Sequence, residues 1–142
     1  MDVQELLRKT HADLDELFKT LESGPIPDGP AKGTAIIAAG RSYSDELAEL
    51  VSIFAWQGKV FDAKRGVLRN KILPFGLNAI VATVYKDPSW MDKKECIAID
   101  YSETSLVAKW VRDEIRMISP GFYLGKVYWD GKSLIHFALQ FS

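Results

Sequence analysis

The sequence predicts a mainly β protein with flanking helices (α+β): an antiparallel barrel or strongly curved sheet preceded by an N-terminal amphipathic helix. Three observations lead there. Asp130-Gly131 sits between two apolar, aromatic-rich runs, among the best short-range signals for a hairpin. Two further β-branched and aromatic runs, 78–85 and 95–101, flank KDPSWMDKK, whose Asp87-Pro88 and Met91-Asp92 suit a hairpin loop. Before them, Val3, Leu6, Leu7, Leu14, Leu17, Phe18 and Leu21 recur at spacings of three and four, with one gap between Leu7 and Leu14, as one stripe of a helix does.

A chain of 142 residues, 47% hydrophobic and 26% charged, suits a single core and neither a fibre nor a disordered chain. The formal net charge of −1 lacks the basic excess that nucleic-acid binding requires. A lone cysteine, Cys96, permits no internal disulfide and suits a small buried hydrophobe. No apolar run approaches the roughly 20 residues of a membrane span, and the acidic first residues carry no signal core, so a soluble cytoplasmic protein is expected.

The first unit, 1–24, is the helix. Its wet side pairs Glu5 with Lys9 and Asp15 with Lys19, acid first, and Gly24-Pro25 stops it. SGPIPDGPAKG, 23–33, holds three glycines and three prolines and reads as a connector. The rest, 25–142, is expected as one barrel-like domain. Within it, 34–38 suits a buried strand. Ser42 or Ser44 caps a helix near 42–56 with the face Leu47, Leu50, Val51 and Phe54. KVFDAKRGVLRNKIL, 59–73, suits a hairpin turning at Ala63-Lys64-Arg65-Gly66. The apolar residues of 105–119 fit a helix of about three turns ending at Pro120-Gly121, although 107–111 also suits a strand.

A two-residue turn at Asp130-Gly131 sets Trp129 opposite Lys132. Counting outward then pairs Val127 with Leu134, Gly125 with His136 and Tyr123 with Ala138. That register puts Tyr123, Gly125, Trp129, His136 and Gln140 on one mixed face, the composition of a site for a small hydrophobic or aromatic ligand. Phe122, Leu124, Ile135, Phe137, Leu139 and Phe141 fall on the other.

Several residues are candidates for acid–base chemistry. His136 could share that work with a carboxylate from Asp100, Asp113 or Glu114. Asp100 and Tyr101 lie in IDYSETS, whose Asp, Ser and Thr also suit a turn and a helix cap. In RDEIR, 112–116, a helix would bring Asp113 and Arg116 together on a solvated face, whereas burial would raise the pKa of Glu114. Lys59, Lys64, Arg65, Arg69 and Lys71, opposed by Asp62, make a basic hairpin edge that could meet an anionic head group or simply discourage aggregation. With two histidines, His11 and His136, a histidine-rich metal site is not expected, and no Gly-rich phosphate loop, G-x-S-x-G or H-E-x-x-H implies a cofactor or a named reaction. The expected partner is a small hydrophobic molecule. Weak self-association to a homodimer is the other possibility, through the first helix or a strand edge.

FAWQGKVFD, RNKILPFGLNAIVATVYKDPSW, IDYSETSLVAKWVRDEIRMISPGFYLGKVYW and FALQF resemble a group of small uncharacterised bacterial proteins. These in turn resemble the lipocalin-like, or calycin, superfamily in their meandering strands. The resemblance spans roughly residues 25 to 141 and implies an antiparallel barrel with a hydrophobic pocket. It implies no particular activity. The lipocalin G-x-W has no counterpart, since Trp56, Trp90, Trp110 and Trp129 each lack a glycine two residues earlier.

Overall fold

A computed structural model describes residues 1–36, 59–72, 77–102 and 111–141. In order these form α1 (Val3–Leu7), α2 (His11–Thr20), β1 (Gly29–Ile36), β2 (Lys59–Asp62), β3 (Val67–Ile72), β4 (Leu77–Pro88), β5 (Glu95–Asp100), β6 (Val111–Ser119), β7 (Phe122–Trp129) and β8 (Lys132–Phe141). The eight strands follow one another antiparallel around a closed barrel, β1 pairing with β8 to seal it. Closure removes the sheet edges that would otherwise invite aggregation. The connector expected over 23–33 is shorter than predicted, because β1 already begins at Gly29.

Two apolar clusters follow from the alternation of the strands. The barrel interior holds Phe61, Leu68, Val84, Ile97, Ile99, Val111, Ile115, Val127, Ile135, Phe137 and Leu139, among others. Outside the wall, Leu6, Leu14 and Phe18 of the helices cover Ile36, Cys96, Phe122, Leu124 and Ala138. The N-terminal stripe is split in two at the Leu7–Leu14 gap. Thr10 caps α2, its hydroxyl accepting from the Asp13 N–H at 3.1 Å while Asp13 accepts from the Thr10 N–H, a capping box that starts a fresh helix.

The helix expected over 105–119 is corrected: 111–119 is strand β6, and 105–110 lies outside the described residues, as does the helix expected near 42–56. The physical reason is that both faces of β6 are covered. Asp113 and Ile115 point into the barrel, while Arg112, Glu114 and Arg116 are buried outside beneath a loop and α2, so polarity no longer reports which side faces water.

The final hairpin needs a second correction. The turn is as expected, with Asp130 and Gly131 both at positive φ (47° and 81°) and Trp129 opposite Lys132. Tyr128 then pairs with Ser133 and Val127 with Ile135, so Leu134 is the extra residue of a bulge. Every pair beyond it moves by one. Lys126, not Gly125, lies opposite His136, and Gly125 lies opposite Phe137. One inserted residue sends a whole strand's side chains to the other face.

Candidate functional sites: a polar pair inside the barrel and a buried network outside it

The bulge separates the residues expected to share one wall. Tyr123, Gly125 and Trp129 belong to the inner row of β7. His136 and Gln140 belong to the outer row of β8, Gln140 exposed and His136 buried under α2.

Among the described inward residues the one carboxylate lies near one end of the barrel. Asp113 pairs across the wall with Ile99 and Val127, both inward-facing, and is fully buried. The Tyr101 hydroxyl donates to Asp113 Oδ2 at 2.9 Å. Burial, and then the neighbouring carboxylate, hold the Tyr101 phenol well above its usual pKa, so it stays a neutral donor. At the opposite end of the barrel Tyr123, Phe141 and Phe61 pack edge to face, with centroids 5.6 and 5.3 Å apart. The Tyr123 hydroxyl donates to the Pro25 carbonyl at 2.7 Å, and Ile26 packs on the same core, drawing the segment after α2 over this end. The strand ends at Ile36, Lys59, Ile72, Leu77, Asp100 and Val111 all lie at the Tyr101 end.

Outside the wall, three networks join α2 and the 89–94 loop to the strands. Arg116 is fully buried, and its guanidinium donates twice to Asp92 at 2.8 Å and to the carbonyls of Phe18, Lys94 and Glu95 at 3.0–3.1 Å. These bonds hold the Asp92 carboxyl down at about 2. The Phe18 carbonyl belongs to the last turn of α2, where a cation suits the helix dipole, and the same guanidinium lies 4.5 Å from the centre of the Phe18 ring.

Glu114 is the second anchor. Its carboxylate accepts from the Ser89 hydroxyl (2.6 Å), the Trp90 N–H (2.9 Å) and Arg112 Nε (3.1 Å). Arg112 also donates to Asp87 (2.8 Å) and the Pro88 carbonyl, beneath the Trp90 ring. Glu114 is therefore buried, and its donors from Ser89 and Trp90 hold the loop in place. Asp100, the other carboxylate candidate, accepts from the Tyr85 hydroxyl and the Ser102 N–H at a turn. Cys96 is buried beneath the helices, and desolvation pushes its thiol up to about 12, an inert hydrophobe's setting.

The third network contains both histidines. Asp15 Oδ1 accepts from Lys126 Nζ at 2.7 Å and lies 2.8 Å from His136 Nε2, while Asp15 Oδ2 is 3.7 Å from His11 Nε2. The imidazole rings meet edge to face at 4.6 Å. Burial works against the Asp15 charge, but the hydrogen bonds from Lys126 and His136 outweigh it and hold its pKa below the usual value. Burial of His136 pushes its pKa down to about 4, against the pull of Asp15. The carboxylate that faces His136 is thus Asp15, across 121 residues of chain, rather than Asp100, Asp113 or Glu114. The i, i+4 spacing of His11 and Asp15 on a helix was visible in the sequence; the shift that turns His136 toward them was not.

No family model matches the chain, and no curated protein matches it. A crystal structure of a protein from Thermomonospora curvata superposes with a TM-score of 0.62 over 95% of this chain and 89% of that one, at 18% sequence identity. The likeness is one of fold. The closed antiparallel barrel is the architecture that the sequence resemblance implies.

Proposed function

We propose that the protein is a binding protein of the calycin type, holding a small apolar or aromatic molecule inside the barrel and anchoring it at the Tyr101–Asp113 pair. The observation that carries this is the hydrogen-bonded Tyr–Asp couple, buried beside the apolar interior cluster at the end away from the aromatic plug. An eight-stranded barrel is about the size that holds either its own side chains or one small ligand, and a few polar groups among apolar walls orient such a guest. Of the inward residues named from the sequence, Trp129 stays within this proposal, whereas Tyr123 belongs to the plug at the other end and Gly125 is covered by the Phe137 ring. His136 and Gln140 leave it, because the bulge turns them outward.

His136 has no open face for a substrate, being 1% exposed beneath α2. The acid–base enzyme is therefore the weaker reading. Among the described residues no helix is long and apolar enough to cross a membrane. A cytoplasmic location belongs to the same proposal.

The test is native mass spectrometry of the purified protein, with titration of an environment-sensitive apolar dye. The wild type should bind the dye at one site, and Tyr101→Phe should weaken binding of a guest whose hydroxyl donates to the Tyr101 oxygen about tenfold, the worth of one hydrogen bond. Dye and guest binding unchanged in both Tyr101→Phe and Asp113→Asn would remove the proposal.

A further inference from the structure

We propose that His11, Asp15 and His136 form a binding site for a divalent transition-metal ion of the zinc class, on the outer wall of the barrel beneath α2. His11 and Asp15 are four apart on α2 and so project from the same face of the helix, and His136 meets them from β8. One ligand atom from each lies within 4.8 Å of the other two. The closest separations, 2.8 Å from His136 Nε2 to Asp15 Oδ1 and 3.7 Å from His11 Nε2 to Asp15 Oδ2, bracket the roughly 3.3 Å between ligands on a tetrahedral ion with bonds near 2.0–2.1 Å. Side-chain rotation would have to bring the widest of the three separations, at most 4.8 Å, to that value.

Two imidazoles and a carboxylate form a borderline-soft donor set, which favours zinc, copper, nickel or cobalt over magnesium or calcium. Three protein ligands leave at least one position for water or another small ligand. The site joins an element that is separate in sequence to the barrel wall, so an occupied site would clamp α2 to β8.

Lys126 sets the limit on affinity. Its ammonium bonds Asp15 Oδ1 at 2.7 Å, orienting the carboxylate while repelling a cation. Asp15 Oδ2, on the His11 side, is the oxygen better placed to ligate. Lys126 thus acts as an outer-shell group that positions the ligand and weakens the ion at once.

The experiment titrates chelator-treated, dialysed full-length protein with Zn²⁺ by calorimetry and with Co²⁺ by visible absorption. One ion should bind per chain, and Co²⁺ should give the intense ligand-field bands of a four- or five-coordinate site. His11→Ala should abolish those bands and weaken Zn²⁺ by more than the roughly 10–100-fold typical of losing an outer-shell partner. His11 is partly exposed, so this variant keeps its fold, which circular dichroism would verify. Lys126→Met should tighten Zn²⁺ by about tenfold. Equal Zn²⁺ affinity in wild type and His11→Ala, or Co²⁺ bands that survive His11→Ala, would overturn the assignment, because any ion would then sit elsewhere. The dye titration above reads the barrel interior, and its outcome does not affect this one.

Discussion

Gly125 faces Phe137 across the β7–β8 ladder, and a Cβ placed on Gly125 would fall 2.2 Å from the Phe137 Cζ. The ring occupies the space that a side chain would need. Glycine is therefore required here by packing against a ring inside the barrel, and not by backbone conformation. Gly125→Ala should destabilise by roughly 1–3 kcal/mol through overpacking. Chemical denaturation would measure it. Phe137→Leu should relieve the clash, so the double variant should lose less than the sum of the two singles; strict additivity would contradict the contact.

Arg116 ties α2, the 89–94 loop and β5 together through a single buried guanidinium. Arg116→Met removes the guanidinium's bonds to Asp92 and to three carbonyls, and removing one member of a buried ion pair typically costs roughly 3–5 kcal/mol. The expected signature is a large fall in the denaturation midpoint. Arg116→Lys should recover little, since an ammonium cannot reach these acceptors in the planar fork that guanidinium offers. Full rescue by lysine would show that charge alone matters.

How far the sequence carried depended on how local each determinant was. The hairpin tip at Asp130-Gly131, the turn at Gly66 and the 89–94 loop rest on nearest-neighbour chemistry, and all were legible. The register beyond the tip was not, because the Leu134 bulge leaves no local signal in a run as evenly apolar as SLIHFALQF. β6 was missed because RDEIRM carries charges on both faces, Asp113 inward and Arg112, Glu114 and Arg116 outward, all of them buried by contacts with elements distant in sequence. The Asp15–His136 contact combines both difficulties: it depends on the bulge and on where α2 docks.

The N-terminal helices are part of the fold rather than an independent interaction module. Leu6, Leu14 and Phe18 are buried on the outer wall, over Leu124 and Ala138. Deleting residues 1–24 would uncover this apolar surface together with Arg116, Lys126 and His136. The truncated chain should unfold or aggregate, as judged by circular dichroism and gel filtration. Phe18→Ala alone should cost roughly 3–5 kcal/mol. A monomeric, native-like truncated barrel would restore the view that the helix serves a partner.

Acid should release the loop anchored by Asp92. In the folded protein its carboxyl titrates at about 2, held there first by the Arg116 hydrogen bonds, against an ordinary value of 3.8. Because the folded pKa is the lower one, the unfolded chain takes up the proton first, and stability falls as pH drops. The contribution is complete above the ordinary value and disappears between about pH 4 and pH 2. Urea midpoints measured across that window should fall steeply in the wild type. In Asp92→Asn the midpoint should be lower at neutral pH and the slope through this window shallower, since no proton is taken up at that position. An identical pH profile in the two proteins would mean that the Asp92–Arg116 pair does not control the acid limb.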